Sequence, residues 1–448
     1  RSSYINPFWF SRAKGPIYSP FLYDAKGQRV YDLEGNPVYD GNSTRGRGAS
    51  ASAGRNVLQE TLLNNNKQDT NAINSRFFAE FKIIQGLTFT TSLSYDVRNY
   101  SFKEYGNKVI GDASGTAALG LTTYKYTGIT WDKILNYKKS IGSHNFDAIL
   151  GHQSFDRTVD YGYLRKIGET VSGIYEMSNF LTPTSSSGYN YVIRKEGYFA
   201  RLNYDFANKY LLSASLRIDK SSRFSDQNYQ GTFWSVGAGW NIHKEAFLAN
   251  SQFVNELKLR GSYGQVGNDG GIGAEPGYQA DLDLYSLGYN NGGESGVYLG
   301  QVGNPNLTWE SKNSFDVGVD FSLLKRRISG SIEYYLQDIS DMIFAEPVPN
   351  SAGVPGNSIY RNIGKMRNNG LELSLNIGIV RNDKFSWDLG LVAASNKNEM
   401  IKMPKGKDDA IISGTKRIAE GRSLYDFWLR QWYGVDPADG AGLFIQDP

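Results

Sequence analysis

Apolar and polar residues alternate with a period of two along most of this chain, the pattern of strands with one face toward an apolar surrounding and the other toward water. The clearest case flanks Gln85-Gly86. Before it, Ile73, Ser75, Phe77, Ala79, Phe81 and Ile83 share a face; after it, Leu87, Phe89, Thr91, Leu93, Tyr95 and Val97 do so, against Thr88, Thr90, Ser92, Ser94, Asp96 and Arg98. A two-residue connection containing Gly between such runs predicts a tight antiparallel hairpin. Similar pairs are Ile129, Trp131, Leu135 with Phe146, Ala148, Leu150, and Tyr198, Ala200, Leu202, Tyr204 with Tyr210, Leu212, Ala214, Leu216, Ile218. Runs through Trp234–Trp240, Leu257–Tyr263, Phe315–Phe321, Ile328–Tyr334, Leu371–Ile377 and Phe385–Leu391 continue the series. About twelve strands of roughly 9 to 14 residues are expected between residues 73 and 395. Strands of soluble domains cluster near five or six residues, whereas a tilted membrane-spanning strand needs about 9 to 11.

The connections carry a second regularity. Short segments at 85–86, 138–143, 205–209, 324–327 and 380–383 alternate with long polar ones near 99–122, 153–189, 264–312 and 336–363. Two exceptions are a shorter outer loop near 219–230 and a longer inner turn near 243–255, where HKEAFLANSQF could form one or two helical turns. A soluble sandwich has no reason to gather its long loops at one end, but an outer-membrane barrel has short periplasmic turns and long external loops. Aromatics near strand ends, at Tyr95, Tyr137, Tyr204, Tyr210, Trp240 and Tyr334, suit interfacial girdles. Alternation alone does not say which face points outward; strand length, loop asymmetry and aromatic placement favour an all-β antiparallel transmembrane barrel over a soluble sandwich.

Composition narrows the chemistry. The 448 residues contain no cysteine, which removes disulfides, thiolate metal sites and a Cys nucleophile, and only three histidines, His144, His152 and His243, too dispersed for a metal cage. A balance of 48 basic against 45 acidic residues gives +3 and no electrostatic case for nucleic acid. No stretch approaches the 18 or so consecutive apolar residues of a membrane helix, and the first residues lack the pattern of a signal peptide. With 40% apolar residues and 14% aromatics, the mixture fits a wide barrel that needs lipid-facing residues only at every second position.

Residues 303–344, GNPNLTWESKNSFDVGVDFSLLKRRISGSIEYYLQDISDMIF, bring a specific resemblance. NPNLTWE, a strand ending GVDF, a basic turn, ISGSIEYY and DISDMI resemble the barrel segment of TonB-dependent transporters of the SusC/RagA branch from Bacteroidetes. NPFWF with GPIYSPFLYD at 6–24, RFSDQNYQGTFWSVGAGWNIHKEAF at 223–247, LKLRGSYGQVGN at 257–268, NIGKMRNNGLELSL at 362–375 and YGVDPADG at 433–440 fit the same branch in order. The resemblance implies a 22-stranded outer-membrane barrel of a Gram-negative bacterium, with a plug, TonB as energy source and a SusD-like surface lipoprotein as partner; a dimer of such pairs is a further assembly it allows. About 12 to 14 of those strands are expected here, one or two of them around Tyr425–Tyr433. The chain then reads as an internal barrel piece: external loop region at 1–72, strands and loops at 73–395, further strand and loop at 396–448.

The longest loop supplies the candidate contacts for ligand or partner: Tyr278, Asp281, Asp283, Tyr285, Tyr289, Tyr298 and Trp309. Aromatic faces stack on sugar rings or peptide side chains, while Asn and Asp supply directional hydrogen bonds. The expected function is import of an oligomeric nutrient, glycan or peptide; a structural scaffold for surface lipoproteins and a passive porin are the alternatives. No cofactor is expected. Asp281 and Asp283 suit solvent or a structural calcium better than a glycosidase pair, and neither they nor the histidines build a catalytic constellation. GRGASASAG at 46–54 lacks GK[ST] and reads as a loop, as does the run Asn64–Asn66. Lys325-Arg326-Arg327 suits a turn whose long cations reach lipid phosphates.

Overall fold

The computed structural model describes residues 6, 8, 19–41, 54–271, 277, 279–403, 411–413 and 415–445. After helix α1 (Val57–Leu63) come β1 (Asn65–Ile84), β2 (Leu87–Gly106), β3 (Ala118–Ile141), β4 (His144–Glu169), β5 (Phe180–Phe206), β6 (Tyr210–Ser221), β7 (Gln230–Asn241) and β8 (Val254–Asn268). The hairpin β9 (Leu284–Leu287) and β10 (Val297–Gln301) separates β8 from β11 (Glu310–Leu323), and β12 (Ile328–Ser340) is followed by the hairpin β13 (Ile343–Pro347) and β14 (Ser358–Asn362). Then come β15 (Lys365–Arg381), β16 (Ser386–Lys402) and the short pairs β17 (Ile411–Ser413) with β18 (Lys416–Ile418), and β19 (Trp432–Val435) with β20 (Gly442–Phe444).

Strands β1 to β8, β11, β12, β15 and β16 form one twelve-stranded meander in that order; the hairpins are separate two-stranded ladders. Pairing from β5 to β8 and on through β11, β12, β15 and β16 is antiparallel throughout. The residues divide into two compact units, one of Arg1–Arg76, Ser94–Ile129 and Asp156–Val192, the other of Phe77–Leu93, Thr130–Phe155 and Ile193–Pro448.

In the second unit the apolar face of the sheet is exposed. Leu212 stands beside Ala238, and Leu216 beside Trp234, and Leu216 and Val236 are 47% and 49% exposed, as large apolar side chains of a water-soluble domain would not be in a row. Leu202, Leu259, Tyr263, Phe315, Ile332, Leu371 and Leu391 extend the belt. The other face carries ions. Arg260 Nη2 meets Glu333 Oε2 at 2.6 Å and its Nε meets Asp320 at 3.2 Å. Between them in register lies Gly318, where a Cβ would come to 3.1 Å from the guanidinium carbon, so the glycine lets Arg260 cross the strand to reach Glu333. Alternation thus makes an apolar and an ionic wall from the same strands, as expected.

The inner turns are tied down by local bonds. Ile242–Lys244 forms a single 3-10 turn, and the Ala249 N–H donates to Glu245 O, so the helical turn expected at 243–255 is present. Glu245 accepts from Trp240 Nε1, the Tyr210 hydroxyl and Lys209 Nζ at 3.1, 2.7 and 3.1 Å. Leu324, Lys325 and Arg326 all have positive φ, and the Arg326 N–H donates to Asn255 Oδ1 at 2.9 Å, so this basic turn is shaped by a neighbouring turn as well as suited to an interface.

Three expectations need correction. Strands β1 to β5 run for 20 to 27 residues, not 9 to 14, and much of the polar segments at 99–122 and 153–189 is strand. A strand needs a hydrogen-bonding neighbour, not apolar residues, and Tyr, Thr and Val keep its propensity high. Asn64 caps α1 while Asn65 and Asn66 open β1, so the asparagine run is not a loop. Residues 415–445 add no strand to the twelve-stranded sheet: Trp432–Val435 pairs only with Gly442–Phe444. The glycine-rich stretch lies, apart from Gly54, outside the described residues.

In the first unit, Asn56 caps α1 by accepting from the Gln59 N–H at 3.0 Å, and its amide donates to Pro20 O and Asp40 O at 2.8 and 3.0 Å. Glu60, one turn on, is buried against Arg55 at 2.8 Å, and Arg55 also binds Asp112. Burial raises the Glu60 carboxyl pKa, against the pull of Arg55 and the Asn56 N–H.

Candidate functional site

The β8–β11 connection, with the turn between β6 and β7 and the hairpin β13–β14, forms the site, all within the second unit. Its core is apolar. Trp309 is 9% exposed and packs at 5.6 Å from the Phe224 ring and 5.5 Å from Phe233, with Ala280, Leu307 and Ile343 around it. Its indole N–H donates to Tyr229 O at 3.2 Å. Trp309, one of the candidate contacts, holds three connections together, because a large ring with a satisfied N–H is worth most when buried.

Two buried carboxylates complete the support. Glu310 has no exposed surface; it accepts from the Ile343 N–H at 2.7 Å and from Asn268 Nδ2 at 2.7 Å. Asp269 accepts from Lys195 Nζ and the Ser221 hydroxyl, each at 2.7 Å, with Arg223 at 4.0 Å. Burial alone would raise the Asp269 pKa, but Lys195, Ser221 and Arg223 outweigh it and hold the carboxyl below its ordinary value. Neither carboxylate was a sequence candidate. Glu310 stands in NPNLTWE and Asp269 directly follows LKLRGSYGQVGN, which is the signal that could have found them.

The expected site residues divide by position. Asp283 accepts from the Gly303 N–H at 2.8 Å, so it shapes the loop. Asp281 is half-buried, and burial first, then the Asp226 carboxylate, raises its pKa. Tyr285, Tyr289 and Tyr298 are exposed on the β9–β10 hairpin, Tyr285 by 64%. The Tyr289 and Tyr298 rings meet edge to face at 4.3 Å, and the Tyr298 hydroxyl donates to that of Tyr289 at 3.3 Å. Leu287 and Val297, paired in register, are exposed beside them. Tyr278 lies outside the described residues. Among the described residues, no group of three or more His, Asp or Glu gathers in a way that could hold a metal ion.

Polar chemistry continues onto the ionic face of the strands below. A cavity of about 320 Å³ is lined by Gln153, Lys195, Arg217, Asp219, Asp269 and Trp309, among others. Arg217 Nε meets Asp219 at 2.7 Å and its Nη2 donates to Gln153 Oε1 at 3.1 Å. Gly197 faces Asp219 in register, and a Cβ there would lie 2.5 Å from the guanidinium, so this pair too depends on a glycine. The arrangement offers paired charges, amides and aromatic rings for binding.

Residues 16–442 match the TonB dependent receptor-like, beta-barrel family. TonB-dependent receptor P3 of Formosa agariphila is 30% identical over 396 residues, 85% of this chain and 38% of that protein. TonB-dependent receptor SusC of Bacteroides thetaiotaomicron is 31% identical over 314 residues, 68% of this chain and 30% of that protein. The chain thus spans less than half of the length of these relatives. The structure of the RagAB peptide transporter superimposes with a TM-score of 0.79 at 22% identity, over 95% of this chain and 44% of that one, which shows a shared fold. The matched family consists of receptors and transporters, not enzymes. The chain belongs to the TonB-dependent receptor β-barrel family, and its exposed apolar belt is that of an outer-membrane protein.

Proposed function

We propose that this chain supplies barrel wall and outer loops to an importer that takes up an oligomeric nutrient, glycan or peptide, under the drive of TonB and together with a SusD-like surface lipoprotein. The observation that carries the reading is the β9–β10 hairpin. Its tyrosines stand in solvent while the loop beneath them is fixed by Trp309, Glu310 and Asp269. A rigid base under an exposed aromatic tip is how a loop binds without a large ordering cost. Tyr285, Tyr289 and Tyr298 are the contacts for ligand or lipoprotein, with Asp281 at their base; two such receptor–lipoprotein pairs can associate as a dimer. The RagAB peptide transporter, named for its cargo, supports the peptide half of the substrate range.

The test is uptake by cells carrying the full-length gene, with labelled oligosaccharides and oligopeptides supplied in parallel. Uptake that is abolished by TonB deletion supports import. Uptake unchanged by TonB deletion identifies a passive porin, and no uptake despite an intact lipoprotein complex identifies a scaffold.

A further inference from the structure

The first unit holds a cavity that the outer-loop site does not use. It measures about 230 Å³ and opens beside the ends of β2, β3 and β4, with Asn66, Glu104, Asn107, Tyr163 and Arg165 in its lining. That is below the roughly 300–1,000 Å³ of pockets for whole drug-sized ligands, so it suits one ring of a longer molecule. Asn107 is committed: it accepts from the Val109 and Ile110 N–H groups at 2.9 Å and donates to Asn64 Oδ1 at 2.6 Å. The side chains of Asn66, Glu104, Tyr163 and Arg165 make no hydrogen bond or ion pair with any described residue. Glu104, Tyr163 and Arg165 are nonetheless half-buried. A carboxylate and a guanidinium thus share one cavity with their hydrogen-bonding capacity unused by the described residues, open to a bound partner.

Next to the cavity the strands carry stacked rings. Tyr161 lies two residues before Tyr163, on the same face of β4, and stacks on Tyr189 of β5 at 4.7 Å and 19°. Tyr189 in turn stacks on Tyr191 at 6.1 Å and 19°. Tyr189, the middle ring of the three, is 51% exposed, so the row offers open aromatic surface there.

We infer that this cavity and tyrosine row form a sugar subsite: one pyranose enters between Glu104 and Arg165, and the next ring of the chain lies on Tyr161 and Tyr189. The inference rests on the import reading above and selects glycan within it. Glu104 only accepts, Arg165 only donates and Asn66 does both. Hydroxyls on a sugar rim donate and accept, so one ring satisfies all three with no charge of its own, and its C–H face packs on a tyrosine. A charged peptide side chain of that size satisfies Glu104 or Arg165 and is repelled by the other.

The experiment measures binding to the full-length receptor in detergent, by calorimetry, for linear hexasaccharides of glucose, mannose, xylose and galacturonate, with a tryptic casein digest as the peptide probe. The expected result is saturable binding of at least one hexasaccharide, weakened tenfold or more by Arg165→Ala, by Glu104→Gln and by Tyr189→Ala, and partly restored by Arg165→Lys. Retention of the heat-modifiable electrophoretic form shows that each variant is folded. Binding of no hexasaccharide, sugar binding that the three substitutions leave unchanged, or capture of casein peptides alone would each overturn the inference. Uptake in TonB-deleted cells is measured separately: sugar binding at this subsite with TonB-independent uptake would remove the import reading and leave the subsite standing.

Discussion

The buried carboxylate of Glu310 accepts a hydrogen bond of 2.7 Å from the backbone N–H of Ile343, 33 residues further along the chain. The bond ties the start of β11 to the hairpin that follows β12, and Asn268, donating to the other oxygen, adds the end of β8. One side chain therefore fixes three connections around the candidate site.

Replacement of Glu310 by Ala leaves the Ile343 N–H and the Asn268 amide without their acceptor in a buried place, a cost of about 1–3 kcal/mol for each unsatisfied group. The expected outcome is faster protease cleavage in the β8–β11 connection of the full-length receptor, with the sheet intact. Cleavage at the wild-type rate would show that Glu310 does not hold the loops.

Trp309 and the hairpin tyrosines should separate support from contact. Trp309→Ala empties the centre of the Phe224–Phe233 cluster and should destabilise the loops by about 3–5 kcal/mol. Tyr289→Ala and Tyr298→Ala remove exposed rings and should change stability by no more than about 0.5 kcal/mol. Hydrogen exchange of the connection reads the first, and affinity for the lipoprotein or for cargo reads the second. Equal effects of all three substitutions on exchange would refute the division.

Asp269 and Asp281 should respond to acid with opposite sign. Asp269 has a folded pKa below its ordinary 3.8, so its stabilisation is complete above 3.8 and is lost as the pH falls through the lower folded value. Asp281 has a folded pKa above 3.8, so it takes up a proton more readily in the folded loop, and acidification from neutral toward 3.8 stabilises it. Loop protection measured by hydrogen exchange should rise on moderate acidification and collapse at stronger acid. Asp281→Asn should abolish the rise, and Asp269→Asn should lower protection at neutral pH and flatten the collapse.

The two faces of the sheet predict unequal tolerance of charge. Leu216→Arg or Val236→Arg places a cation on the apolar belt and should cost about 2–4 kcal/mol near the bilayer midplane. Ser215→Arg, on the opposite face where Ser215 and Ser235 share a 2.6 Å hydrogen bond, should be tolerated better. Urea titration of the full-length receptor refolded in lipid vesicles measures the difference; equal costs on both faces would contradict the assignment of the belt to lipid.

The chain's alternation of Leu212, Ala214 and Leu216 with Ser213, Ser215 and Arg217 was enough to place a strand and divide its residues between two faces, because side-chain direction in a strand repeats every two residues whatever the partner. Short turns at Gln85-Gly86 and Lys325-Arg326-Arg327 and the longer connections at 264–312 and 336–363 were legible for the same local reason. The asparagines at 64–66 and the tyrosine-rich halves of β4 and β5 read as loop because polarity was visible and their hydrogen-bonding neighbours were not. Register was equally hidden: Lys195 meets Asp269 across 74 residues, and four of the five methionines, Met342, Met366, Met400 and Met403, converge in one buried cluster, only once the strands are paired. By itself the sequence determined an outer-membrane β-barrel, since lipid and water select residues one position at a time. The tertiary structure alone decided that Trp309 supports and Tyr289 protrudes, and that Glu104 and Arg165 share a cavity, because those outcomes depend on contacts between residues that no local pattern links.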